Sequence, residues 1–177
     1  MLFGCLFFAG CEVPKYDSPK NTSYPDLELK LEEQLKLLAG SRLIKEVRLG
    51  KKIQRDTLVM DSSSWEKELG FFSEINPATP RYVGVFNVSR TKDELNLSLN
   101  EGENGELKTF RLKYKGSTFH SLEAKLQEEN SILANERNIR INFKNGAIES
   151  WVNSGYQKAM MSDIISFRIK GTVLSPK

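Results

Sequence analysis

The chain has 177 residues, with 26 Lys and Arg against 23 Asp and Glu, and its formal charge of +3 is too balanced to argue for a nucleic-acid partner. One histidine, His120, is too few for a multi-histidine metal site. No HExxH, GxSxG, P-loop or Gly-rich dinucleotide fingerprint occurs, so no catalytic or cofactor motif is recognisable.

Met1 to Cys11 begins with an uncharged apolar run, Leu2, Phe3, Leu6, Phe7, Phe8 and Ala9, which ends in Gly10-Cys11 before polar residues take over at Glu12. About ten apolar residues are too few to cross a bilayer as a helix, which takes about twenty, but they suit the central segment of an export signal. Phe8-Ala9-Gly10-Cys11 resembles a bacterial lipobox. Small Ala9 and Gly10 give a signal peptidase access to the bond it cuts, and Cys11 supplies the thiol for a diacylglyceryl thioether. Further acylation of the freed amine makes attachment stable, because each buried CH2 contributes about 0.8 kcal/mol. No Lys or Arg precedes the run and Phe8 stands where Leu is more usual, which fits a start further upstream.

The expectation is a signal peptide over 1–10, a lipidated Cys11 with a flexible tether over 11–25, and one domain over 26–177. The tether carries Pro14, Ser18, Pro19, Asn21, Thr22 and Ser23 with few apolar residues. With Cys5 removed, only Cys11 remains, which excludes an internal disulfide or a thiolate metal site. No second apolar run approaches the length of a membrane span. The expected location is the bacterial cell envelope, lipid-anchored at the outer membrane on its periplasmic or surface face.

Leu27, Leu31, Leu35 and Leu38 recur at helical spacing from Asp26 to Leu38, with acidic residues in the first turns and Gly40 past the end. Arg42 to Met60 reads as a hairpin or two short strands on either side of Gly50-Lys51. It is the most basic part of the chain, with Arg42, Lys45, Arg48, Lys51, Lys52 and Arg55. Arg48, Lys51, Lys52 and Arg55 are candidates for contact with a partner or an anionic surface, where each charge can contribute about 1 kcal/mol.

Ser63-Ser64-Trp65-Glu66 has the form of a capping box for a second helix through Leu69, Phe72 and Ile75, stopped by Asn76-Pro77. Trp65, Leu69 and Phe72 share a face, which makes Trp65 a core anchor. From Arg81 the pattern is β. Strands are expected at Tyr82 to Val88, Leu95 to Leu99, Phe110 to Tyr114 and Thr118 to Gln127, and then, after an irregular Glu128 to Arg137, at Ile139 to Phe143. Asn145-Gly146 is a tight-hairpin signal into Ala147 to Val152, and the last strand runs through Ile165, Phe167, Ile169 and Val173.

Short turns and strict alternation argue for antiparallel pairing rather than βαβ units. The expected fold is α+β, with two N-terminal helices packed on a curved antiparallel β-meander, half-barrel or sandwich-like. Several features together resemble lipobox-containing envelope lipoproteins of Bacteroidetes-type bacteria. They are the lipobox, the basic hairpin, Trp65-Glu66-Lys67-Glu68-Leu69 with Phe72, Ile75-Asn76-Pro77-Ala78, and Gly155-Tyr156-Gln157-Lys158 before the final strand. The resemblance implies location and a single domain; it carries over no activity and no catalytic residue.

The carboxylates Glu128, Glu129 and Asp163 read as solvated loop and strand-end charges, and His120 as a packed or surface residue. No enzyme activity and no cofactor are expected. The leading reading is a non-catalytic membrane-anchored lipoprotein that binds an envelope protein, a glycan or the membrane surface, through the basic hairpin, the sheet edges, Trp151 or Tyr156. The alternative is a carrier holding a lipid or acyl chain between the helices and the curved sheet, which requires an apolar cavity there.

Overall fold

The computed structural model describes residues 24–174, and the alternating sequence becomes strands throughout. They are β1 (Arg42–Leu49), β2 (Lys52–Val59), β3 (Phe86–Arg90), β4 (Glu94–Leu99), β5 (Leu107–Lys115), β6 (Thr118–Glu129), β7 (Leu133–Lys144), β8 (Ala147–Ala159) and β9 (Ile165–Leu174). All pairings are antiparallel, in a nine-stranded open sheet of order β2-β1-β9-β8-β7-β6-β5-β4-β3. The helices are short: α1 (Leu27–Leu38), α2 (Ser62–Glu68) and α3 (Phe71–Glu74), with a 3-10 turn at Pro80–Tyr82. No described helix is long and apolar enough to cross a membrane.

The class is α+β, with two corrections to the expected order. Only α1 precedes the strands, while α2 and α3 follow the first hairpin. Nor is the sheet a plain meander, since β1 lies against β9, the last strand. Unpaired backbone along β9 is satisfied by the first hairpin, a contact that local pattern cannot announce.

Three local expectations also change. The cap of α2 is Asp61, not Ser63: its carboxylate accepts from the Ser64 amide at 2.7 Å. A charged acceptor suits a helix N-terminus, and the hydrogen bonds from Ser64 hold the Asp61 carboxyl below its usual range. The helix does not run on to Ile75; it breaks at Leu69-Gly70, and α3 starts anew at Phe71. Tyr82 belongs to the turn nucleated by Pro80, and its hydroxyl accepts from the Leu107 amide at 3.1 Å, so β3 begins only at Phe86. The segment Glu128 to Arg137, expected to be irregular, contains strand ends, with Gln127, Glu128 and Glu129 opposite Glu136, Asn135 and Ala134. All of those positions but Ala134 are polar, so no apolar alternation marks them. Asn145-Gly146 turns as expected, with φ of 53° and 81°.

Side chains alternate across a strand, so one face collects Leu95, Leu97, Phe110, Leu112, Leu122, Ile139, Ile141 and Trp151, all buried. The helices meet this face. Trp65 of α2 stands edge-on to Trp151 with centroids 6.0 Å apart. Burying an indole removes enough apolar area to favour the fold by about 4–6 kcal/mol before chain entropy is counted. Buried Gln34 of α1 donates to the Gly146 carbonyl at 2.9 Å and accepts from the Ile148 amide at 2.7 Å, fastening α1 to the β7–β8 turn. Lys45 of β1 pairs with Glu68 of α2 at 2.7 Å, and Arg137 of β7 pairs with Glu74 of α3.

Two glycines allow this packing. A Cβ on Gly171 would lie 2.2 Å from Trp151 Cζ2, and one on Gly155 would lie 1.8 Å from the Glu136 carbonyl oxygen. Trp65 Nε1 and Asn153 Oδ1 are buried without a hydrogen-bond partner among the described residues, and nothing in the structure explains either.

Candidate functional site

Directly opposed residues in an antiparallel sheet share a face, so the register traces what stands opposite the helices. One row crosses all nine strands from β3 to β2: Ser89, Asn96, Arg111, Glu123, Arg140, Val152, Lys170, Glu46 and Arg55. The next row is Asn87, Ser98, Thr109, Lys125, Asn138, Ser154, Arg168, Arg48 and Ile53. Both rows are exposed or half-buried. Between β3 and β9 they line an open hollow of about 770 Å³. The hydroxyl, amide and charged groups of this floor, set around Val152, can hold a hydrophilic ligand by hydrogen bonds at the spacing of the strands.

Charge is distributed unevenly along it. Across β4 to β7 the cations of these two rows have partners. Arg111 donates to Asn96 at 2.8 Å and lies 3.4 Å from Glu94, Arg140 pairs with Glu123 at 2.9 Å, and Lys125 pairs with Glu136 at 3.0 Å. The hydrogen bond from Lys125, with a second from Asn138, holds the Glu136 carboxyl below its usual range. Toward β9, β1 and β2, Arg168, Lys170, Arg48 and Arg55 are exposed, and none is ion-paired among the described residues.

The sequence-picked basic set is thereby divided. Arg48 and Arg55 stand on the open face, Lys51 is in the turn, and Lys52 lies opposite Leu49 on the other face. Lys45 is held by Glu68. Parity along β1 and β2 separates Arg48 and Arg55 from Lys45 and Lys52, and was readable in advance. Arg168 and Lys170 were missed, because their approach to Arg48 and Glu46 depends on the β1–β9 pairing. Trp151 is unavailable as a contact residue: it is 1% exposed and packed on Trp65. Tyr156 is half-buried on the open face, opposite Glu136 and Ser166. Cys11 lies outside the described residues.

The other chemistry-bearing residues stay apart. His120, Glu128, Glu129 and Asp163 are exposed, and no group of three or more His, Cys, Asp or Glu able to hold a metal occurs among the described residues. The space between helices and sheet, where a carrier would need its cavity, is occupied by Trp65, Trp151, Phe72 and Leu69, all fully buried. A smaller hollow of about 410 Å³ opens at the rim, between the end of α1 and the β7–β8 turn.

One end of the sheet shows a further surface. The β1–β2, β8–β9 and β6–β7 turns lie side by side, with Gly50 donating to the Ser166 carbonyl at 3.0 Å and Met160 to the Ile132 carbonyl at 2.7 Å. They expose Ile132, Met160, Ile164 and a Met161 that is 99% exposed. Comparison with known proteins finds no matching family model, no matching curated protein and no matching solved structure.

Proposed function

We propose that the protein is a non-catalytic envelope lipoprotein, anchored through Cys11, that works as a binding module with the uncovered sheet face as its binding surface. In this reading the sheet is a half-barrel whose one side is filled by helices and whose other side is presented to a partner. The observation that carries it is the hollow of about 770 Å³, floored by two register rows whose side chains are polar apart from Val152. A face meant only for solvent needs no hollow, and a catalytic cleft would gather convergent titratable groups with strongly shifted pKa values. The exposed Met160, Met161, Ile164 and Ile132, beside Lys51 in the neighbouring turn and Lys52 at the start of β2, support a membrane-proximal setting.

The test is site-specific photocrosslinking in intact cells, with the crosslinker at Asn138 or Ser154 on the open face and at Glu66 on α2 for comparison. Adducts from the open face alone are expected; none, or equal adducts from Glu66, would reject the surface. In the same cells labelled fatty acid should enter the chain and be lost in Cys11→Ala. Unchanged labelling would dismiss the anchor.

A further inference from the structure

We infer that the β9–β1–β2 end of the open face binds an acidic polysaccharide, a chain of carboxylated or sulfated sugars. This rests on the open face being the binding surface and names its ligand class. In the two central rows these three strands present Arg168, Lys170, Arg48 and Arg55 against one carboxylate, Glu46. Glu46 stands opposite both Lys170 and Arg55 and is ion-paired to neither among the described residues. Arg48 stands directly opposite Arg168.

Like charges directly opposed across a strand pair destabilise a sheet, and here no carboxylate among the described residues is ion-paired to either guanidinium. The same face pairs Arg111, Lys125 and Arg140 with carboxylates only a few strands away. The uncompensated end is therefore complementary to an external anion, and an arginine fork matches a carboxylate or sulfate in two parallel hydrogen bonds.

The hollow decides between a bilayer and a glycan. It runs from β3 to Arg168, the one of the four cations that lines it, and its floor also carries Ser154, Asn138 and Thr109, groups that hydrogen-bond sugar hydroxyls, while Lys170, Arg48 and Arg55 continue the rows beyond its end. A flat array of lipid headgroups reaches the rim of a concave surface and not its floor, whereas an extended polysaccharide lies along it.

The experiment is calorimetric titration of the full chain in mild detergent with polygalacturonate, and with dextran as a neutral counterpart. Polygalacturonate should bind with an affinity that falls as salt rises, and dextran should not bind. Arg48→Glu with Arg168→Glu should weaken binding at least tenfold, while Lys36→Glu with Lys67→Glu, exposed on the helices, should leave it unchanged. If the first pair disturbs folding, as judged by thermal melting, Arg48→Gln with Arg168→Gln removes the charges at similar size and should show the same loss.

Absence of polygalacturonate binding, or binding undiminished by either arginine pair, would overturn the inference. So would binding to anionic vesicles that fails with the same pair while the polysaccharide is ignored. If crosslinks from Asn138 and Ser154 persist without polysaccharide binding, the ligand class falls and the binding-module reading stands.

Discussion

Asn96 and Leu97, or Arg140 and Ile141, are chain neighbours on one strand, yet they belong to surfaces with opposite physics. The face toward the helices is closed by Trp65, Trp151, Phe72 and Phe110, each fully buried. The other face carries charges, hydroxyls and amides around an open hollow. The difference shows that one sheet can carry a packed face and a polar face at once. Packing on the first face fixes the backbone, and the backbone fixes the spacing of groups on the second, so residues of the open face can vary with little effect on the fold.

The comparison breaks most severely where the closed face loses volume. Trp65→Ala should cost about 3–5 kcal/mol, because the indole packed on Trp151 leaves a cavity that a sheet-bound neighbour cannot fill. Denaturant unfolding measures it, and a loss under 1 kcal/mol, by roughly the scale of a surface change, would mean that the helices are not the cover that holds the sheet. Next comes Gly155→Ala, which sets a methyl group against the Glu136 carbonyl. The obstacle is backbone rather than a flexible side chain, so the cost should be about 1–3 kcal/mol, read as a lower melting temperature.

The smallest effect belongs to the open face. Glu136 is held ionised chiefly by the hydrogen bond from Lys125, and its folded-state pKa is lowered. Its contribution to stability is therefore present above the unfolded carboxylate pKa of about 4 and is lost as pH falls through the lower folded value. Glu136→Gln should lower the melting temperature slightly at pH 7, with a gap that closes in acid as the native carboxylate takes up its proton. The pair is largely solvent-screened, so the change should stay at or below about 1 kcal/mol. A gap that widens in acid would contradict this account.

These three tests track how much was legible in the chain. Leu95, Leu97, Phe110 and Ile141 announce a half-buried sheet through strict alternation, and Asn145-Gly146 announces its tightest turn, because both signals depend on residues a few positions apart. Trp65, Leu69 and Phe72 are buried as their spacing predicts, although the helix breaks at Leu69-Gly70 and Phe72 sits on α3. The polar strand ends at Glu128 to Arg137 escaped notice because strand pairing there is backbone hydrogen bonding with no apolar face to mark it.

What the sequence by itself determined is the alternation that makes two-faced strands, and the basic first hairpin with Arg48 and Arg55 on one parity. Only the tertiary structure decided that β1 closes on β9, which sets Arg48 against Arg168 across 120 positions of chain and leaves Lys45 to Glu68. The physical reason is that alternation selects a face through each residue's immediate neighbours, whereas strand partners are chosen by which free edge and which apolar face remain to be satisfied once the whole sheet has formed.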